Sequence, residues 1–223
     1  LLEILNNYIF YEEDEKTKEV SIIFPRYHQR DCVKELIKNV KENGTGRNYL
    51  VQHSAGSGKS KTIAWLSHQL SNLFGENEEP IFDSIIVITD RIVLDRQLKK
   101  QIKQFEKIKG TVRTIDKGSK QLVKALQDGD KIIISTLQKF GYINDLASLN
   151  GKHFAIVVDE AHSSQTGENV KDLKLALTTD EALKKIIKQD DENKEPKDTV
   201  EAELEKIMGS RQKLPHLSFF AFT

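Results

Sequence analysis

The run NYLVQHSAGSGKS, residues 48–60, constrains the fold more than any other part of the chain. A short apolar segment leads into a loop of small residues, and an amphipathic pattern over residues 63–73 follows at once. Gly56 and Gly58 leave room for backbone N–H groups to turn toward one point, where the start of a helix adds partial positive charge. The run therefore predicts a strand, an anion-binding loop and a helix in succession, with a plain glycine turn as the alternative.

Further apolar runs, SIIVIT, KIIIST, FAIVVD and LSFFAF, alternate with helical patterns along the chain. Helical spacing is present over residues 33–40, where Gly44 marks a stop, and over residues 94–105. This alternation is typical of a mostly parallel sheet with helices on both faces, so we predict an α/β fold. Residues 1–24 predict a helix end and a short hairpin-like connector, and the charge-dense segment 178–213 predicts a helical insertion.

The loop fits the spacing of a P-loop, in which a glycine, four residues and Gly-Lys-Ser or Gly-Lys-Thr follow one another. Gly58, Lys59 and Ser60 match it, whereas His53 stands where the first glycine is expected. Lys59 is predicted to reach the outer phosphates of a nucleotide, and the Ser60 hydroxyl to ligate Mg²⁺. As an exposed loop residue, Lys59 is expected to contribute little to stability.

A pair of acids in the stretch FAIVVDEAH supplies the carboxylates that nucleotide hydrolysis requires. Asp159 ends an apolar strand and is predicted to hold Mg²⁺ through water, while Glu160 is predicted to activate the attacking water. His162 is predicted to be a coupling residue. A solvated strand end is the alternative interpretation of the same four letters DEAH.

These motifs carry a resemblance to a known family. HSAGSGKS, VVDEAH and FFAFT resemble motifs one, two and three of superfamily-two helicases and translocases, in the same order. RYHQRDCV, VITDRIVLDRQL and IIISTLQKF narrow the resemblance to the R subunit of type I restriction-modification enzymes, in which histidine is common at the first loop position. The resemblance covers residues 7–223 and implies a RecA-like P-loop NTPase lobe over residues 25–223, with residues 1–24 as the connector from an upstream domain.

The resemblance also implies an activity and partners. The expected function is ATP-dependent translocation of double-stranded DNA before cleavage, with ATP and Mg²⁺ as cofactors and with specificity and methyltransferase subunits as partners. Gln29 is expected to read the adenine edge and Arg26 or Tyr27 to lie against the ring, although Gln29 also suits a plain helix start. The candidate ATP-binding residues are Arg26, Tyr27, Gln29, Ser54, Ala55, Gly56, Ser57, Gly58, Lys59, Ser60 and Lys61.

Four residues near predicted strand ends are candidates for contacting DNA phosphates without sequence preference: Arg91, Ser135, Thr136 and Lys139. An ion pair of Arg91 with Asp90 or Asp95, and helix capping by the serine and threonine, are the alternatives. The other lysines between residues 99 and 109 are predicted to form a solvated helix face.

Composition limits the remaining possibilities. The 34 basic and 34 acidic residues cancel, so a nucleic-acid partner needs a local patch rather than a global field. One cysteine excludes an internal disulfide, and the absence of a long apolar run argues against a membrane span, which together favour a reduced, cytoplasmic protein.

Two other functions stay open at this stage: a different superfamily-two motor, such as a chromatin-remodelling-like translocase or a type III restriction helicase, and a nucleotide switch that does not move on DNA. The chain begins with Leu1 and ends in an apolar run, so we expect it to be a piece of a longer polypeptide. Without a second lobe to supply an arginine, the piece is expected to bind nucleotide weakly and to hydrolyse it hardly at all.

Overall fold

The computed structural model describes residues 2–13, 17–54, 56–89, 92–106, 108–142, 149, 151–159, 173–178 and 214–223, with the backbone alone for 13, 92–97 and 141–142. The predicted insertion lies almost wholly outside these residues. No helix in the described part of the chain is long and apolar enough to cross a membrane.

The elements follow one another in an order that alternates strand and helix over most of the chain. The first elements are α1 (Leu2–Asn7), β1 (Phe10–Glu13), β2 (Val20–Ile23), α2 (Tyr27–Asn43), β3 (Asn48–Val51), α3 (Lys59–Ser71) and β4 (Ser84–Ile88). They are followed by α4 (Ile92–Gln104), β5 (Val112–Thr114), α5 (Ser119–Asp128), β6 (Ile132–Ser135), a 3₁₀ helix (Leu137–Tyr142), β7 (Phe154–Val158) and β8 (Leu217–Phe222).

Six of these strands form one sheet in the order β3-β8-β7-β4-β6-β5, and every neighbouring pair is parallel. The predicted α/β fold and all five predicted strands are confirmed. Strand β5 was not predicted, because its three residues VRT form no apolar run, Val112 and Thr114 being only partly buried and Arg113 exposed. The C-terminal segment β8 inserts between β3 and β7, so Asp159 after β7 lies on the other side of β8 from the loop after β3. We name that loop, from His53 to Gly58, the phosphate loop after its predicted ligand.

Both faces of the sheet are covered by apolar side chains. Ile85 and Val87 of β4 point to the same face as Val33, Ile63 and other buried residues of helices α2, α3 and α4. Ile86 and Ile88 point to the opposite face, where α5, the 3₁₀ helix and residues 173–177 pack. Alternate residues of one strand therefore serve two cores, which explains why the strands are apolar throughout rather than alternating.

Strands β1 and β2 form a separate antiparallel hairpin with Phe10 opposite Ile23. Tyr8 and Phe10, from the predicted connector, are 1% and 7% exposed and belong to the core that contains Trp65 of α3. The Trp65 indole Nε1 donates to the Tyr8 carbonyl oxygen at 2.9 Å. The hairpin is thus packed onto the lobe that it precedes.

Candidate nucleotide-binding site

The carboxyl ends of all six strands meet at one edge of the sheet, because the strands are parallel. The residues that directly follow β3, β7 and β8 therefore lie close together, at the edge where ligands of open α/β sheets bind. Pairing continues past the strands here: the His53 N–H donates to the Thr223 carbonyl at 2.8 Å, and the Thr223 N–H donates to that of Val51 at 3.0 Å. The start of the phosphate loop is thus fixed to the strand that separates it from Asp159.

The phosphate loop itself turns sharply at its glycines. The Ser57 N–H donates to the Ser54 carbonyl at 3.1 Å, and Gly56 and Gly58 have φ of 74° and 87°. Gly58 is left-handed and immediately precedes α3, so the N–H groups of a helix start adjoin the loop. A Cβ on Gly58 would lie 2.4 Å from the Gln29 amide nitrogen, so this position admits no side chain without a shift.

Gln29 anchors the loop from α2. Its side chain is buried, its Nε2 donates to the Gly58 carbonyl at 3.0 Å, and its Oε1 accepts from the Arg26 N–H at 2.8 Å. Both ends of the amide are therefore used within the protein. The predicted contact of Gln29 with an adenine edge stays a prediction, and the contact that the structure gives it is with the loop.

Two histidines hold Ser57. The Nδ1 atom of His53 lies 2.9 Å from the Ser57 hydroxyl, and the Nε2 atom of His28 lies 3.1 Å from the Ser57 carbonyl oxygen. Their rings are 6.0 Å apart, centroid to centroid. Burial, the nearby His28 and the charge of Lys59 lower the pKa of His53, so its neutral form is favoured. His28 was not predicted, because a single histidine at a helix start carries no sequence signal.

Lys59 and Asp159 meet across the edge of the sheet. The Lys59 Nζ lies 3.4 Å from Asp159 Oδ1, and the two side chains are 19% and 9% exposed. The expectation that Lys59 is an exposed loop residue is wrong, since Lys59 begins α3 and its ammonium faces a buried carboxylate. The expectation that it contributes little to stability stays a prediction, although its premise of exposure no longer holds. The structure thereby brings together the predicted phosphate-binding lysine and the predicted magnesium partner.

The other predicted nucleotide residues surround this pair. Ser60 is partly buried in the first turn of α3, and Ser54 is exposed. Arg26 donates from a guanidinium nitrogen to the Gly56 carbonyl at 3.5 Å, while Tyr27 is 80% exposed. The Lys61 Nζ pairs with the Glu12 carboxylate of β1 at 3.1 Å, which connects the hairpin to α3. Ala55, Arg91, Glu160 and His162 lie outside the described residues.

The predicted DNA contacts differ from one another in exposure. Ser135 is 1% exposed and its hydroxyl donates to the Thr136 carbonyl at 3.3 Å, so it lies below the surface, whereas Thr136 is partly buried. The Lys139 Nζ donates to the Ile115 carbonyl oxygen. None of these contacts tests whether the side chains bind DNA, so DNA binding at this edge of the sheet stays a prediction.

Lys139 belongs to a group of basic side chains near Asp116, and the sequence did not predict that they lie together. The Lys99 Nζ lies 3.0 Å from Asp116 Oδ1, and the hydrogen bond and charge of Lys99, with the charges of Lys139 and Lys103, hold the pKa of Asp116 below its usual value. We name Lys99, Lys103 and Lys139 the lysine cluster. The Lys99 side chain is 18% exposed, so it is not part of a freely solvated face as predicted, whereas Lys103 is exposed.

The turn that carries Asp116 is held by one side chain. Gln121 Oε1 accepts from the N–H groups of Asp116 and Lys117 at 3.0 and 2.9 Å, and its Nε2 donates to the Thr114 carbonyl at 3.0 Å. Because this turn follows β5, the lysine cluster lies at the same edge of the sheet as the phosphate loop.

Residues 28–223 match the sequence model of the SWI2/SNF2 ATPase family, from His28 through the last strand. The chain belongs to that family. Among its relatives is a protein of Methanocaldococcus jannaschii, provisionally assigned as the type I restriction enzyme MjaVIIP endonuclease subunit, to which it is 34% identical over 160 residues. The HindI endonuclease subunit of Haemophilus influenzae is 30% identical over 178 residues. The predicted resemblance to type I restriction subunits is thereby confirmed.

These relatives are much longer than this SWI2/SNF2 ATPase chain. The matches cover 64% and 75% of the chain but only 14% and 16% of the two relatives. Among solved structures, the UvsW helicase of bacteriophage T4 superposes with a TM-score of 0.52 over 99% of the chain and 33% of UvsW, at 15% identity. That likeness shows the fold alone, a RecA-like α/β lobe.

Proposed function

We propose that this chain is the ATP-binding motor lobe of a type I restriction-modification R subunit and takes part in ATP-dependent translocation of double-stranded DNA before cleavage. The observation that carries the proposal is the approach of Lys59 to Asp159, with 3.4 Å between Nζ and Oδ1. A nucleotide hydrolysis site has two halves, a lysine that follows a glycine-rich loop and a carboxylate at the end of another strand. Here Lys59 follows the loop after β3, and the buried Asp159 follows β7, two strands away in the sheet.

The residues present fit Mg²⁺ and a nucleotide. Gly56 and Gly58 keep the loop clear of Cβ atoms at positive φ, so backbone N–H groups can face an anion. Hydroxyl and carboxylate oxygens suit Mg²⁺, which Ser60 and Asp159 would hold. Lys59 would then turn from the carboxylate to the outer phosphates. When bound, the ion neutralises charge on the phosphates, and we assign Glu160 to activating water and His162 to coupling, as the sequence predicts.

The lysine cluster supports the DNA part of the proposal. The charges of Lys99, Lys139 and Lys103 all lower the pKa of Asp116, so basic side chains gather near the turn after β5 in a chain whose formal net charge is zero. Lysines contact phosphates as point charges and confer no sequence preference, which suits a motor that must pass over any sequence. Specificity and methyltransferase subunits as partners follow from the likeness to type I restriction subunits.

The test is the ATPase rate of the full-length protein, measured with and without duplex DNA that lacks free ends. The duplex is expected to raise the ATPase rate of a translocase. In a second assay, in which a third DNA strand is bound to the duplex as a triplex, a translocase should displace that strand while ATP lasts. A nucleotide switch that does not move on DNA would hydrolyse ATP equally with and without the duplex, and that result would overturn the proposal. Glu160→Gln is the control, since it should retain nucleotide binding and lose turnover.

A further inference from the structure

We propose that His28 and His53 are positioning residues for the phosphate loop, and that each acts on Ser57 through one specific ring nitrogen. The inference deepens the proposed nucleotide site and rests on it. Neither histidine is a predicted ligand of nucleotide or metal. Their role is to fix the shape of the loop that receives the phosphates.

Ser57 is held on three sides. Its backbone N–H donates to Ser54 within the loop at 3.1 Å, its hydroxyl lies 2.9 Å from His53 Nδ1, and its carbonyl lies 3.1 Å from His28 Nε2. The residue is 9% exposed, so water competes poorly for these groups. The next residue, Gly58, is held in turn by the Gln29 amide at 3.0 Å. Helix α2 therefore fixes two consecutive carbonyls of the loop from outside it.

The chemistry of each contact assigns a different requirement to each histidine. A carbonyl oxygen only accepts, so His28 must carry a proton on Nε2. A hydroxyl both donates and accepts, so His53 satisfies Ser57 through Nδ1 in either neutral tautomer. What matters at position 28 is a donor far along the side chain, and what matters at position 53 is a polar atom close to the backbone.

His53 is also where three segments meet. Its backbone N–H is bonded to Thr223 at 2.8 Å, and its ring lies 5.9 Å from that of Phe222 and 6.0 Å from that of His28. A glycine at this first loop position could provide the backbone contact but neither the hydrogen bond to Ser57 nor the ring contacts. The histidine thus replaces a flexible position by one fixed from both α2 and β8.

Reciprocal amide substitutions test this assignment, because the asparagine amide lies near the place of Nδ1 and the glutamine amide reaches that of Nε2. We compare His53→Asn with His53→Gln, and His28→Gln with His28→Asn, in the full-length protein. The readout is the Kd of a fluorescent ATP analogue with Mg²⁺. We expect His53→Asn to bind about three- to tenfold more tightly than His53→Gln, and His28→Gln more tightly than His28→Asn by a similar factor.

The crossed pattern separates positioning from general damage. Loss of ring packing or of fold would penalise asparagine and glutamine alike at each position, and the thermal midpoint of each pair checks that both members fold equally. Ser57→Ala provides a second measurement: in that background the asparagine and glutamine variants of His53 should bind equally, while the difference at position 28 should persist. Equal affinities within both pairs, or the same amide preferred at both positions, would overturn the proposal.

Lys59→Ala distinguishes this outcome from failure of the nucleotide site itself. If wild type binds the analogue, Lys59→Ala does not and the histidine pairs show no crossed pattern, only the positioning role is wrong. If wild type and Lys59→Ala bind the analogue equally, or neither binds it, the nucleotide assignment fails and the positioning role fails with it.

Discussion

The phosphate loop and the lysine cluster lie at the same edge of the sheet but are held in opposite ways. The loop is fixed by short, buried contacts: Gln29 is 3% exposed and Ser57 is 9% exposed. In the lysine cluster, long flexible side chains surround Asp116, whose side chain is 67% exposed. The loop is held by specific hydrogen bonds, whereas the lysine cluster mainly supplies positive charge. We therefore expect nucleotide binding by the loop to weaken when one hydrogen-bonding atom is lost or displaced, and binding by the lysine cluster to weaken as the salt concentration rises.

The largest effect on stability and nucleotide affinity is expected when two lysine-aspartate pairs are compared. Their lysines are almost equally exposed, but their aspartates differ in exposure. The Lys59 and Lys99 side chains are 19% and 18% exposed, but their partners Asp159 and Asp116 are 9% and 67% exposed. Lys59→Ala should weaken binding of a Mg²⁺-ATP analogue about 100-fold, since it removes a charge-assisted contact. It should also cost about 1–3 kcal/mol of stability, because Asp159 loses a partner in a buried setting.

Lys99→Ala is the control for that prediction. Its partner is exposed to water, so the cost should stay under about 1 kcal/mol and nucleotide affinity should change little. Urea denaturation and analogue titration of both variants check the pair of predictions. Equal costs in stability would show that burial of the aspartate does not distinguish the two regions.

A second comparison uses two left-handed glycines, Gly58 before α3 and Gly129 after α5. Their φ and ψ nearly coincide, at 87° and 34° and at 72° and 36°. A Cβ on Gly129 would meet nothing within 4 Å, whereas a Cβ on Gly58 would lie 2.4 Å from Gln29. Gly129→Ala should cost about 1 kcal/mol from backbone strain alone, and Gly58→Ala about 2–4 kcal/mol because a clash is added.

The clash should also reach the nucleotide. Gln29 cannot swing aside without breaking its bonds to Gly58 and Arg26, so Gly58→Ala is expected to weaken analogue binding more than tenfold. Thermal unfolding and titration measure the two effects. A Gly58→Ala variant as stable as Gly129→Ala would mean that the loop tolerates the shift that its buried contacts oppose.

The smallest effect is expected in the lysine cluster. Lys103→Gln together with Lys139→Gln should make DNA binding by the full-length protein depend less on salt. The slope of log Kd against the logarithm of the salt concentration should fall by about one for each DNA phosphate that is no longer neutralised. Lys131→Gln is the matched control, because this exposed lysine precedes β6 and so lies at the opposite edge of the sheet. Fluorescence anisotropy with a duplex at several salt concentrations gives the slopes, and equal slopes for all variants would exclude the cluster from the DNA path.

The main sheet was predictable because five strands are long enough to form uninterrupted apolar runs between helical patterns. Strand β5 was missed for the converse reason. It is an edge strand of three residues that pairs with β6 on one side only, with Val112 and Thr114 partly buried and Arg113 exposed. The pairing of Lys59 with Asp159 was also predictable, because parallel strands bring their carboxyl ends together whatever lies between them in the sequence.

The contacts that shape the site were harder to predict. Gln29 and His28 reach the loop from residues about 30 positions earlier, and only the packing of α2 on the lobe brings them there. Ser135 was expected at the surface because it follows an apolar run, yet it is the last residue of β6 and is buried. Orientation at a strand end depends on what packs over it, and a single sequence does not contain that information.

The contact between Trp65 and the first residues of the chain has a practical consequence for anyone who trims this protein. The SWI2/SNF2 match begins at His28, which invites a cut just before it. Such a cut would discard Tyr8 and Phe10, whose rings lie 6.0 and 5.9 Å from that of Trp65, and would uncover the side of this α3 indole that they contact. A shortened version of this chain should therefore retain residues 2–23, because Tyr8 and Phe10 cover one side of Trp65.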